Sequence, residues 1–272
     1  MTLIVGLIAK DGIVITSDSR MTSGNAAVSM TQSNDTVRKI FKITDRCGIG
    51  ISGSGEMGVT LIEEFQKEIN KLKDQKLAIL DVAEKFRIQC LTRYANWFQR
   101  LPAESERIPD FNVLVCGYEP DESGKLNDPK IIRMNSFSQF APMTITTGYA
   151  TLGITTIANY LLNRLYLRNE ITLTQALSLA AFCIIETKSQ DGRVGGNLQA
   201  AMFSNTEPFR EITDKEIVEI TTKSDEVLRN SFQISFYKPE SSPSPSEELK
   251  EEPEKAITEG PEKPQEDAIK SE

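Results

Sequence analysis

The sequence predicts an α+β fold in which two antiparallel sheets pack face to face with helices outside. Three observations predict it. Strand-like and helical segments come in blocks (strands, helix pair, strands, helix pair, strand), whereas a doubly wound parallel sheet needs them to alternate singly. The first strand, residues 3–9 (LIVGLIA), is apolar on both faces, so its sheet must be covered on both sides. Lys10-Asp11-Gly12 separates it from a second apolar run, and Asp-Gly between two such runs is a hairpin signal. No internal repeat of fixed period is present.

The elements follow in order. Residues 13–18 (IVITSD) complete the first hairpin. Residues 37–43 (VRKIFKI) and 47–52 (CGIGIS) form a second strand pair around Thr44-Asp45-Arg46. Helices are expected over 55–74 and 79–99, the latter opening with the capping-type pair Asp81 and Glu84 and ending at Leu101-Pro102. Strands return at 111–118, 130–135 and 143–147, and helices at 151–168 and 173–189, where Thr172 and Gln175 make a capping box. A strand at 198–204 and a helix from Thr213, capped with Glu216, close a domain over residues 1–238. Residues 239–272 differ: eleven Asp and Glu against four Lys, six prolines, no aromatic residue. Such a segment buries too little apolar surface to offset its chain entropy, so a disordered acidic tail is expected.

Composition excludes several functions. The net charge of −8, nearly all of it in the tail, argues against nucleic acid or an anionic membrane as partner. There is no histidine, which removes Ser-His-Asp and Cys-His catalysis and His-ligated zinc. The four cysteines are widely spaced with no Cys-x-x-Cys pair, so free thiols in a reducing compartment are expected. The opening lacks a basic start before its apolar stretch, and the run Ala176 to Ile185 is too short to span a bilayer; a cytoplasmic location is expected.

Without histidine, hydroxyl chemistry needs another base. Period-2 alternation in VRKIFKI puts Lys39 with Val37, Phe41 and Ile43, and a buried ammonium needs an acid partner. Taken alone, such a lysine more often snorkels from an edge strand. Asp18, at the end of its strand, supplies the acid, although by itself it suits a turn. Removal of Met1, which small second residues permit, leaves Thr2 with hydroxyl nucleophile and amine base on one residue, the amine having a pKa of about 7.7–8.0. Many chains begin Met-Thr for no catalytic reason, so this too is modest alone. Ser52-Gly53-Ser54-Gly55 joins a strand to a helix start, where backbone N–H groups can face an oxyanion.

Together, Thr2, KDGIVITSDSR (10–20), VRKIFKI (37–43) and GIGISGSGE (48–56) resemble the proteasome β-subunit family of N-terminal-nucleophile hydrolases. The likeness continues through Thr147-Gly148 and Asp191-Gly192-Arg193-Val194-Gly195-Gly196. The resemblance implies a four-layer αββα sandwich, the N-terminal-nucleophile hydrolase fold, and threonine-type peptidase or amidase activity on peptide or protein substrates. It implies Thr2 as nucleophile, Asp18 pairing Lys39, Lys39 tuning the Thr2 amine, Gly53 as oxyanion donor, and Asp191 near that amine. Arg20, Met21, Ile51, Gly55 and Tyr149 fall at substrate-side positions; Ile51 with Gly55 suggests an apolar, open pocket and cleavage after hydrophobic residues. No metal or organic cofactor is implied. A ring-forming homo-oligomer, or a ring with related subunits, is.

Two departures accompany it. The family commonly has serines near the amino terminus where this chain carries Tyr149 and Val194, and a tyrosine hydroxyl can replace one hydrogen bond where valine cannot. About six extra residues lie between Asp18 and Lys39, around Asn25 to Asn34. Two alternatives stand beside the peptidase: a transpeptidase or amide ligase on the same fold, and a catalytically inactive structural subunit.

Overall fold

The computed structural model describes residues 2–25, 30–72, 77–98 and 109–222; side chains of 23–33 are outside the described set. The acidic tail and the domain boundary at 238 lie outside the described residues. The chain opens with β1 (Leu3–Ala9) and β2 (Gly12–Ser17), a hairpin turning at Lys10 and Asp11 as Asp-Gly predicts. With β10 (Tyr149–Gly153), β11 (Gln199–Phe203) and β12 (Arg210–Glu211) they form a five-stranded sheet in the order β10-β1-β2-β11-β12. The second sheet runs β5 (Ile40–Thr44), β6 (Cys47–Gly53), β7 (Phe111–Pro120), β8 (Leu126–Asn135), β9 (Met143–Thr144). All pairings are antiparallel.

The helices cover the outer faces. α1 (Gly55–Asn70) and α2 (Ile79–Phe98) pack on the second sheet around Phe65, Phe86, Ile49 and Val113. α3 (Thr156–Leu165) and α4 (Leu173–Gln190) pack on the first, against Leu3, Val5 and Leu7. Between the sheets lies a third apolar cluster with Ile4, Ile8, Ile13, Leu114 and Ile131. Alternation in β1 thus feeds two different cores, which is why the strand is apolar on both faces and wholly buried. The result is the four-layer αββα sandwich. A helical segment over 214–222 follows β12.

Local signals hold where side chain and backbone agree. Thr172 and Gln175 make the expected capping box on α4, which Asp11 reinforces by accepting from the Leu173 N–H at 2.7 Å. Thr213 and Glu216 cap each other likewise. Several expectations change, among them the strand over 143–147, which shortens to Met143–Thr144. The helix expected over 151–168 starts at Thr156, because 149–153 is instead the β10 edge strand paired to β1. Asp81 lies in the first turn of α2 rather than at its cap. The extra residues between Asp18 and Lys39 carry a separate hairpin, β3 (Met21–Asn25) and β4 (Met30–Asn34), whose polar sequence gave no strand signal. All four thiols are free and buried, Cys116 and Cys183 inside apolar clusters as expected.

Candidate active site

The site forms where the ends of β1 and β2 meet the start of β5. Asp18 follows the last residue of β2 and is 1% exposed; Lys39 precedes β5 and is 4% exposed. The Lys39 Nζ donates to Asp18 Oδ1 at 2.8 Å and to the Arg20 carbonyl at 2.6 Å. Asp18 is further fixed by N–H donors from Leu3 (3.0 Å), Gly195 (3.0 Å) and Arg20 (3.2 Å). A carboxylate with three backbone donors and one ammonium has its lone pairs satisfied, which is what a buried charge requires. Burial lowers the pKa of Lys39 from its ordinary value, and Asp18 opposes that shift.

Lys39 is not in a strand, as the sequence pattern suggested; residues 36–39 are irregular. Its backbone is held from two sides. Its carbonyl accepts from Ile51 N–H at 3.0 Å, and its own N–H donates to Gln199 Oε1 at 2.9 Å. Gln199 Nε2 donates to the Val37 carbonyl at 2.8 Å. Sequence pattern alone places Gln199 in the strand over 198–204 and gives it no role.

Thr2 is 6% exposed and lines one small cavity, about 30 Å³, with Met21, Lys39, Ile51, Gly53 and Gly55 among its walls. Gly53 sits at φ +99°, where a Cβ would meet the Asp110 carbonyl at 2.1 Å, so glycine is required there. Two hydroxyls on the cavity wall, Thr22 Oγ1 and Ser52 Oγ, are buried without a partner among the described residues. Buried orphaned polar atoms of this kind call for a ligand or water.

The structure does not bring every predicted residue here. Arg20 contributes its carbonyl, but its guanidinium forms a two-point pair with Asp35, 2.7 Å on each side, and donates to the Gly192 carbonyl. Asp191, at the end of α4, lies within electrostatic reach of the chain's amino terminus, but its carboxylate is held by Arg193, the main cause that takes its pKa down to about 2. Tyr149 stands opposite Leu7 in the β1–β10 ladder and bonds Asn163, whereas Gly153 stands opposite Leu3. Four residues of strand is ~13 Å, so Tyr149 is not beside Thr2. The neighbour of Thr2 on that side is Ile154, whose N–H donates to the Thr2 carbonyl at 2.8 Å. Val194 is fully buried in the same apolar cluster as Leu3. The pocket is also narrower than expected, because Met21 fills it: a Cβ on Gly55 would lie 2.7 Å from Met21 Sδ.

Comparison with known proteins settles the family. A family model described as proteasome subunit matches residues 2–203. The chain belongs to the proteasome subunit family. It is similar to the proteasome subunit beta of Streptomyces griseus, 28% identical over 230 residues, covering 80% of this chain and 74% of the relative. It is 22% identical to proteasome subunit beta 1 of Thermococcus sibiricus, covering 82% of this chain and 95% of that one. For proteasome subunit beta of Ferroglobus placidus the identity is 23%, over 84% and 93% of the two chains. No helix among the described residues is long and apolar enough to cross a membrane, and no group of three or more His, Cys, Asp or Glu among them clusters as a metal site. Membership in this family supports a proteasome-like peptidase.

Proposed function

We propose that this protein is a threonine peptidase that cleaves peptide bonds with Thr2 once Met1 has been removed. The observation that carries the reading is the buried Lys39–Asp18 pair, whose lysine lines one cavity with Thr2 and Gly53. A positive charge held there disfavours protonation of the Thr2 amine, keeping it a base near neutral pH.

The steps balance. The Thr2 hydroxyl oxygen bonds to the scissile carbonyl carbon as its proton passes to the Thr2 amine, and the Gly53 N–H faces the resulting oxyanion. The C–N bond then breaks, and the amine's proton goes to the leaving nitrogen, giving an ester on Thr2. Water adds to that ester, its proton passing to the amine; the C–O bond breaks and the threonine hydroxyl is restored. The unpartnered Thr22 and Ser52 hydroxyls offer hydrogen bonds to a bound peptide. We assign Lys39 and Asp18 the tuning of the amine and Met21, Ile51 and Gly55 the pocket for the residue before the cleaved bond. Assembly into a ring with copies of itself or related subunits, in the cytoplasm, completes the proposal by analogy with the family.

Intact mass followed by a β-lactone or peptide vinyl sulfone probe tests it. The expected result is a mass lacking Met1 and one adduct on Thr2, lost in Thr2→Ala. Retained Met1, or labelling that Thr2→Ala leaves unchanged, overturns the proposal.

A further inference from the structure

Lys39 stands on a stretch of chain without a ladder of its own. Residues 36–39 lie between β4 and β5, and the side chain they present has to meet an acid on a different sheet. Something must fix the backbone from which the ammonium projects. On one side the second sheet does so, through Ile51 N–H to the Lys39 carbonyl. On the other side a side chain does so, beside the bond from Val37 N–H to the Ser19 carbonyl. Gln199 presents its amide as a strand presents a peptide group, accepting from Lys39 N–H and donating to the Val37 carbonyl. Gln199 itself is fixed, being the first residue of β11 and the cross-strand partner of Ser17, next in sequence to Asp18. The acid and the clamp therefore sit on neighbouring strands of the first sheet, and the lysine they hold enters the second.

We propose that Gln199 is a positioning residue that sets where the Lys39 ammonium stands relative to Asp18 and Thr2. Its catalytic consequence rests on the threonine-peptidase reading above; the clamp itself does not. A carboxamide suits the task because Lys39 offers a donor and Val37 an acceptor, and only Asn or Gln carries both complements on one planar group. A methionine of the same length fills the space and makes neither bond. Once the clamp is lost, the irregular segment keeps the Val37 N–H to Ser19 carbonyl bond and the Lys39 side-chain contacts, but not the backbone placement that aims them. The charged groups that act on Lys39 are Asp18 beyond β2 and, farther out, Asp35, itself paired with Arg20. Gln199 adds no charge, so its removal acts through geometry.

Three measurements test this on the full chain. In wild type, hydrogen exchange resolved to single amides should show the Lys39 N–H protected; exchange at the rate of an open loop overturns the clamp without any variant or any activity. In Gln199→Met, Lys39 should be acetylated by a small amine-reactive ester at least about tenfold faster than in wild type, while lysines remote from the site are unchanged; equal protection of Lys39 overturns it. The acid limb of Thr2 labelling against pH should move up by roughly half to one unit in Gln199→Met, because a displaced ammonium no longer suppresses protonation of the amine. A variant that is only less stable lowers the melting temperature but leaves that limb in place, and such a result removes the catalytic role. Absence of labelling in wild type at every pH sinks the peptidase reading instead, and the exchange and acetylation results then judge the clamp alone.

Discussion

Replacing Met21 by alanine should change which peptides this protein accepts. In the structure the Met21 thioether occupies the space that Gly55 leaves by having no side chain, and the cavity beside Thr2 holds about 30 Å³. That is about one water's share of liquid volume. A methyl group fits; an isobutyl group requires Met21 to swing aside, which its flexible side chain permits at about 0.5–1.5 kcal/mol for an unfavourable rotamer. Leucine carries three more carbons than alanine, each worth about 0.8 kcal/mol when buried, or about 2.4 kcal/mol together. Displacing Met21 takes back about 0.5–1.5 kcal/mol of that in wild type. Met21→Ala removes the obstruction, so the leucine-to-alanine ratio of second-order labelling constants for two peptide vinyl sulfones should rise by about 2- to 10-fold. The assay is intact-mass labelling with both probes on both proteins. A ratio that Met21→Ala leaves unmoved refutes the reasoning.

Other perturbations follow from the same geometry. Lys39→Met should reduce Thr2 labelling by about 100-fold or more yet lower stability by only about 1–3 kcal/mol, less than a fully broken buried pair, because Asp18 keeps its three backbone donors; labelling kinetics and urea unfolding check the two parts. Gly153→Ala should cost about 3 kcal/mol or more, since its Cβ would lie 1.7 Å from the Thr2 carbonyl at φ +87°; a fall in melting temperature of about 6–12 °C is the expected size for a domain of this length. For Asp191, Arg193 lowers the folded pKa to about 2, so its contribution is present above about pH 4 and is lost as pH falls through 2. Because Arg193 is half exposed, solvent screens the pair and that contribution is small. Unfolding of wild type and Asp191→Asn should differ at pH 6 and converge near pH 2.

What could be read from the sequence, and what could not, divides along physical lines. Contacts made by neighbours in sequence were legible: the Asp-Gly hairpin and the Thr172–Gln175 and Thr213–Glu216 boxes. The Asp18–Lys39 pair was legible because a lysine among buried residues demands an acid. Gln199 was not, for it acts through a segment 160 residues away and its own strand is unremarkable in pattern. The β3–β4 hairpin was missed because Met21–Asn25 and Met30–Asn34 are polar and lack alternation. Tyr149 was misplaced for a reason of register. A short glycine-containing stretch does not say which of its residues ends opposite Leu3, and sliding by four along a strand moves a side chain from one end of the site to the other.

The same register explains why the second residue faces the cavity at all. Leu3, Val5 and Leu7 point to the outer helices, and Ile4 and Ile8 point between the sheets. By alternation position 2 belongs with Ile4, on the side where Lys39 and Gly53 stand. Two backbone bonds lock that phase: Leu3 N–H to Asp18, and Ile154 N–H to the Thr2 carbonyl. The acid that pairs with the lysine is therefore also the group that fixes the strand carrying the nucleophile. Lys39 and Thr2 are coupled through Asp18 before any substrate arrives, so a change at Asp18 should disturb the ammonium and the threonine together. Asp18→Asn keeps an oxygen for the Leu3 N–H but loses the charge facing Lys39. It should therefore preserve the β1 register while weakening the hold on the ammonium, separating two duties that one carboxylate performs.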